Sequence, residues 1–195
     1  NLVQDGIKDG CDGEKVLLTD AESQEIQQAF SKRQHDKQVQ KTVAMIQKNR
    51  KAADEFLAAN KGKNSVKTTA SGLQYKVVKE GKGAKPTAED MVRVQYKGRT
   101  IAGEEFDSSF KRNEPAELKV NQVIPGWQEA LLLMPVGSAF ELYLPPDLAY
   151  GDRGAPPVIE PGSLLIFDVE LLDILKEEAN PDNAKAEAAP AQEKQ

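Results

Sequence analysis

The chain has 195 residues, 39% hydrophobic and 29% charged, with a net charge of −5. That balance suits one domain of ordinary size plus an appendage, and it argues against a surface built for phosphates, so no nucleic-acid partner is implied. No apolar run is long enough to span a bilayer, and a single cysteine, Cys11, rules out an internal disulfide.

The chain opens on Asn1 with no charged-then-apolar leader, which reads as a mature or trimmed chain. Leu2, Val3 and Ile7 lie at helical spacing and suggest the end of one helix. A second helix is expected from about residue 19 to about residue 60. Thr19 or Asp20 can cap it, and Glu22 stands three residues after Thr19, as in a capping box. Nothing breaks it for roughly 60 Å at the helical rise. Its apolar positions are Ile26, Phe30, Val39, Val43, Ile46, Phe56 and Leu57, a thin stripe interrupted around Ser31–Lys37. Such a helix buries one narrow face or stands largely in water, and it is expected to lean on another chain. Residues 1–61 therefore read as a helical N-terminal dimerisation region. The polar stretch GKNSVKTTASG, residues 62–72, reads as a hinge.

From residue 73 the pattern changes to alternation. Leu73, Tyr75 and Val77 interleave with Gln74 and Lys76, and Val92, Val94 and Tyr96 interleave with Arg93, Gln95 and Lys97. Phe140, Leu142 and Leu144 interleave with Glu141 and Tyr143. Leu165, Phe167, Val169 and Leu171 interleave with Asp168 and Glu170. Period-two runs of this kind are half-buried antiparallel strands. One short helix is evident: Trp127, Ala130, Leu131 and Met134 form one apolar face, Pro125 suits its first turn, and Pro135 with Gly137 ends it. The expected fold class is α+β, over residues 73–175. Residues 176–195 hold no aromatic or β-branched residue and read as a disordered tail.

A Gly-rich phosphate loop is missing, and the one histidine, His35, has no second histidine for a triad or metal cluster. What the second region has instead is aromatics, including the only tryptophan. Five of the 11 prolines fall in LPPDLAYGDRGAPPVIEPG, a long stiffened loop between two strands.

YKG at 96–98, EFDSS at 105–109, VIPGWQEAL at 123–131, LPPDLAYG at 144–151 and LLIFDVELLDI at 164–174 occur in this order. In these motifs the chain resembles the FKBP-type peptidyl-prolyl cis-trans isomerases, across residues 71–175. The resemblance implies a twisted antiparallel half-barrel around one short helix, with a shallow apolar pocket between them. It implies Tyr96, Phe106, Asp107, Tyr150 and Phe167 as catalytic residues. Substrate binding would fall to Arg112, Val123, Ile124, Trp127, Val158 and Ile159, with Trp127 as the floor. Ala116 stands where many relatives have an aromatic wall residue and Ala155 where some have a histidine, departures that should widen the pocket. No cofactor or metal is implied. The expected substrates are unfolded or partly folded polypeptides with X-Pro bonds, and macrolides are the expected inhibitors.

A helical region before such a domain is similar, in architecture, to the periplasmic FkpA and macrophage-infectivity-potentiator (Mip) group. That likeness implies a homodimer through the N-terminal helices, a periplasmic or cell-envelope location, and chaperone activity beside isomerisation. The group's first helix would here be missing or truncated. A holdase chaperone, with isomerisation secondary, is the alternative reading.

Overall fold

The computed structural model describes residues 20–175. The helix end at Leu2–Ile7, Cys11, the Thr19 cap and the tail 176–195 lie outside the described residues. The chain divides into two compact units, residues 1–44 and residues 45–195.

Helix α1 runs Asp20–Lys61. It contains neither glycine nor proline and is rich in Ala, Gln, Lys and Glu, all strong helix formers. In the first unit its apolar residues Ile26, Phe30, Val39 and Val43 are all exposed. The second unit contains α1 from residue 45 onward and all the strands. They are β1 (Val66–Thr68), β2 (Gln74–Lys79), β3 (Met91–Thr100), β4 (Glu105–Ser108), β5 (Ala116–Lys119), β6 (Ala139–Leu144) and β7 (Leu165–Leu175). Helix α2 (Ser109–Arg112) follows β4, and α3 (Pro125–Leu133) lies between β5 and β6.

The strands make one antiparallel sheet in the order β1-β2-β6-β7-β3-β4, with β5 also paired to β3. β3 is the hub. Along one edge it pairs with β7 from Met91 to Thr100. Its other edge is shared, β5 facing residues 91–94 and β4 facing residues 97–99. The sheet is not closed, as a half-barrel requires, so the expected α+β fold is the one observed.

The concave face wraps α3. Trp127, Ala130, Leu131 and Met134 are all buried there against Val92, Val94, Phe140, Leu142, Leu144, Phe167 and Val169. Pro125 occupies the first turn, where its missing N–H costs nothing. Pro135 follows directly on the Met134 cap and prevents continuation.

The convex face is also covered, which the alternation did not predict. Ala53, Phe56 and Leu57 of α1 pack on Tyr143, Leu164 and Ile166, with Val66 alongside. The rings of Phe56 and Tyr143 stand 5.8 Å apart. Gln74, expected to face water, is buried; its amide accepts from Asn60 (3.0 Å) and donates to the Leu57 carbonyl (2.9 Å). The end of α1 thus leans on its own chain's sheet. Within the expected hinge, residues 66–68 pair with residues 74–76 as strand β1. A short second helix, α2, was also not expected. Among the described residues no helix is long and apolar enough to cross a membrane.

Candidate functional site

β3, β4, β7 and α3 converge on a cavity of about 230 Å³ lined by Tyr96, Phe106, Asp107, Leu118, Gln122, Val123, Ile124, Trp127, Tyr150 and Phe167. Alternation brings Tyr96 and Phe167 to the concave face, and helical spacing puts Trp127 beneath them. The Trp127 ring meets Tyr96 and Phe167 edge-on, each centroid 5.3 Å away at 89°. Phe106 and Phe167 meet in the same manner at 5.5 Å. Edge-to-face pairs of this kind are favoured by the ring quadrupole and hold the box rigid. Gly98 makes the close approach possible: a Cβ there would lie 2.6 Å from the Phe106 ring and 2.8 Å from Phe167.

Polar groups meet on one side of the box. The Tyr96 hydroxyl donates to Asp107 Oδ2, and Arg112 Nη1 donates to Asp107 Oδ1. Arg112 Nη2 also reaches the Tyr96 oxygen at 3.0 Å, and its guanidinium stands over the Tyr96 ring at 5.6 Å. Helix α2 is what delivers Arg112. Its N-cap is Ser108, and Asn113 ends it in the left-handed region. Ser109 ties it to β3 by accepting from the Tyr96 N–H at 2.8 Å. Burial pushes the Asp107 carboxyl up, but the Tyr96 and Arg112 hydrogen bonds outweigh it and hold the group below the usual carboxylate range. Burial first, then the bond to Asp107, pushes the Tyr96 hydroxyl up. The two groups therefore stay in complementary states, ionised carboxylate and neutral phenol, at neutral pH.

The rim is the turn before α3. Gln128 pins it by donating to the Val123 carbonyl at 2.7 Å. The Ile124 carbonyl accepts from the first turn of α3, while its own N–H has no acceptor among the turn and cap hydrogen bonds of the described residues. Tyr150, which lines the same cavity, is 41% exposed, and its hydroxyl makes no hydrogen bond within the described residues. The Trp127 Nε1 is buried and likewise unpartnered.

Eight expected site residues thus line one cavity, and Arg112 joins them through Asp107. Val158 and Ile159 do not. Ile159 is buried in the core, where its backbone bonds to Ala155 in both directions, and Val158 is exposed. Val158 instead borders a larger hollow of about 480 Å³ that includes Lys48, Asn49, Thr100 and Glu160 and has no aromatic lining. Nor do Ala116 and Ala155 line the aromatic cavity. Leu118 and Gln122 were missed. Leu118 continues the alternation of Ala116, and Gln122 directly precedes the recognised rim, so both signals were present. No cluster of His, Cys, Asp or Glu among the described residues could hold a metal ion.

The family model described as FKBP-type peptidyl-prolyl cis-trans isomerase matches residues 82–172. The model for the domain amino terminal to FKBP-type peptidyl-prolyl isomerase matches residues 1–77. FkpA of Aeromonas hydrophila is 46% identical over 185 residues, 95% of this chain and 68% of that protein. Mip of Coxiella burnetii is 46% identical over 171 residues, 88% of this chain and 74% of that protein. The crystal structure of FkpA from Escherichia coli superposes with a TM-score of 0.78 at 39% identity, over 89% of this chain and 80% of that one.

Proposed function

This chain belongs to the FKBP-type peptidyl-prolyl cis-trans isomerases, and from that membership we propose how its aromatic box performs the reaction. An X-Pro amide rotates over a barrier of about 18–20 kcal/mol, most of it lost resonance. The planar amide is strongly dipolar, and the twisted one is less so. A dry box of Tyr96, Phe106, Trp127 and Phe167 penalises the planar form more than the twisted form, which is differential binding of the transition state. The Ile124 N–H and the Tyr150 hydroxyl, both without hydrogen-bond partners among the described residues, anchor neighbouring carbonyls and leave the rotating one free. Asp107, held by Tyr96 and Arg112, faces the rotating bond with its charge fixed in place. No bond to the protein forms or breaks.

The observation that supports this most directly is the pairing of an apolar aromatic floor with one pinned carboxylate and two unused donors. The test is the cis-to-trans rate of a short Leu-Pro or Phe-Pro peptide with wild type and Asp107→Ala. Acceleration that falls strongly in the variant supports the mechanism. Acceleration unchanged by the variant removes Asp107 from it.

A second reading draws on α1. Ile26, Phe30, Val39 and Val43 are exposed along residues 20–44, an unusual amount of apolar surface for one helix. We assign it to a homodimer contact and to holding unfolded chains, in a cell-envelope protein like the FkpA and Mip relatives. Macrolide binding in the same box is part of this reading. Aggregation suppression that survives Tyr150→Phe, with a dimeric mass in solution, supports it; a monomer without holdase activity sinks it.

A further inference from the structure

Two adjacent residues of α1, Asn49 and Arg50, reach the loop that carries Tyr150. Arg50 Nε donates to Asp152 Oδ1 at 2.7 Å. Its Nη2 and Nη1 donate to the two oxygens of Asp147 at 2.7 and 3.2 Å. Asn49 Nδ2 donates to Glu160 Oε2 and to the Pro161 carbonyl, both at 3.0 Å. Gly162 closes the contact, since a Cβ there would lie 3.1 Å from the Ile46 carbonyl oxygen.

These partners are not scattered. Asp147 lies in the 3₁₀ turn Pro146–Leu148, and Asp152 lies in the turn Gly151–Arg153. Tyr150 sits between the two turns, and no hydrogen bond of its own side chain fixes it within the described residues. Its position is set by the loop backbone, through Gly154 N–H to the Tyr150 carbonyl (3.1 Å) and Gly162 N–H to the Gly151 carbonyl (2.9 Å). Without Arg50, two carboxylates five residues apart would face each other across this loop unneutralised. With it, one planar guanidinium crosslinks both turns, a forked geometry that lysine cannot reproduce.

We propose that Arg50, assisted by Asn49, is a positioning residue of the isomerisation site: it holds the Tyr150 loop in place from helix α1, outside the strand and helix framework that builds the pocket. The proposal rests on Tyr150 being a substrate anchor, as set out above. An anchor used equally by planar and twisted amide contributes uniform binding, so its loss raises KM and leaves kcat alone.

The test compares wild type, Arg50→Met, Tyr150→Phe, the double variant and Lys51→Met in steady-state isomerisation of a Leu-Pro peptide. Amide hydrogen exchange is followed on the same full-length proteins. Among the described residues Lys51 pairs with Glu55 on the same helix and with no residue of the loop, so Lys51→Met should match wild type. Arg50→Met should raise KM about fivefold, the scale of one hydrogen bond, with kcat within about twofold. In the Tyr150→Phe background the same change should add nothing. Exchange at Gly154 and Gly162 should quicken while β3 and β7 stay protected. A wild-type KM in folded Arg50→Met overturns the proposal. So does a fivefold loss that persists without the Tyr150 hydroxyl, or exchange that rises across β3 and β7 as well. A wild type that does not accelerate the peptide at all would instead remove the isomerase mechanism on which the proposal depends.

Discussion

Trp127 carries two opposing contributions that substitution can separate. Its ring is 4% exposed and makes two edge contacts, with Tyr96 and Phe167, while its Nε1 is buried without an acceptor. Truncation to Ala removes the whole ring from a packed core, at about 3–5 kcal/mol. For a chain of this size that lowers Tm by about 10–15 °C. Trp127→Phe is a different experiment. It keeps a ring for the edge contacts and loses about two buried carbons, about 1.6 kcal/mol. It also removes an unsatisfied buried donor, whose presence costs about 1–3 kcal/mol. The terms cancel to within about 1 kcal/mol, so Tm should move by no more than about 3 °C. Isomerisation should follow the ring. The Phe variant retains rates within about tenfold of wild type, and the Ala variant, assayed well below its Tm, loses more because water enters the box. Thermal unfolding and the peptide assay read both. If Phe destabilises as much as Ala, the unpaired N–H is not costing what burial predicts. If folded Ala isomerises like wild type, Trp127 is core packing only.

Three other outcomes follow from the site and its support. Because the Tyr96 and Arg112 bonds hold Asp107 below the usual carboxylate range against the opposing effect of burial, it stays ionised as pH falls. kcat/KM should be flat from about pH 8 to about pH 5 and decline only below the ordinary value of about 3.9. The stability contributed by the same shift is present above that value and lost as pH falls through the lower, folded one; a rate that halves near pH 6 would contradict the assignment. Gly98→Ala would drive a methyl against the ends of Phe106 and Phe167; kcat/KM should fall at least tenfold with Tm changed by only a few degrees, and an active variant would mean the two walls are looser than they stand. Phe56→Ala, outside the pocket and on α1, should cost about 1–3 kcal/mol by unfolding because its ring supports Tyr143, whereas no loss would mean that α1 merely touches the sheet.

The concave half of this domain could be read from residues because its signals are local. Alternation in Val92–Tyr96 and Leu165–Leu171 and the spacing of Trp127, Ala130, Leu131 and Met134 are each set by one element's own period. β1, β4 and β5 are three or four residues long, too short for a period to register. The burial of Gln74 was also out of reach, because it depends on Asn60 and Leu57 crossing above it.

The covering of the convex face is different, since a trace of it was present. Leu164-Leu165-Ile166-Phe167 is apolar at four successive positions, and Leu142-Tyr143-Leu144 at three. A strand with only one buried face has no use for that, so an unbroken run signals cover on both sides. Phe56 and Leu57, apparently stray on a polar helix, are the residues that supply the cover. The apolar stripe on α1 is therefore two features placed end to end. The part from residue 45 onward belongs to the isomerase unit, and the earlier Ile26, Phe30, Val39 and Val43 are exposed. The Arg50 contacts leave no such trace: Arg50 lies 97 and 102 residues from its two acidic partners. A charged side chain on a charged helix looks the same whether it faces water or bridges two turns. Whether removing that one cation changes KM only while Tyr150 keeps its hydroxyl decides if α1 supports this site or only carries it.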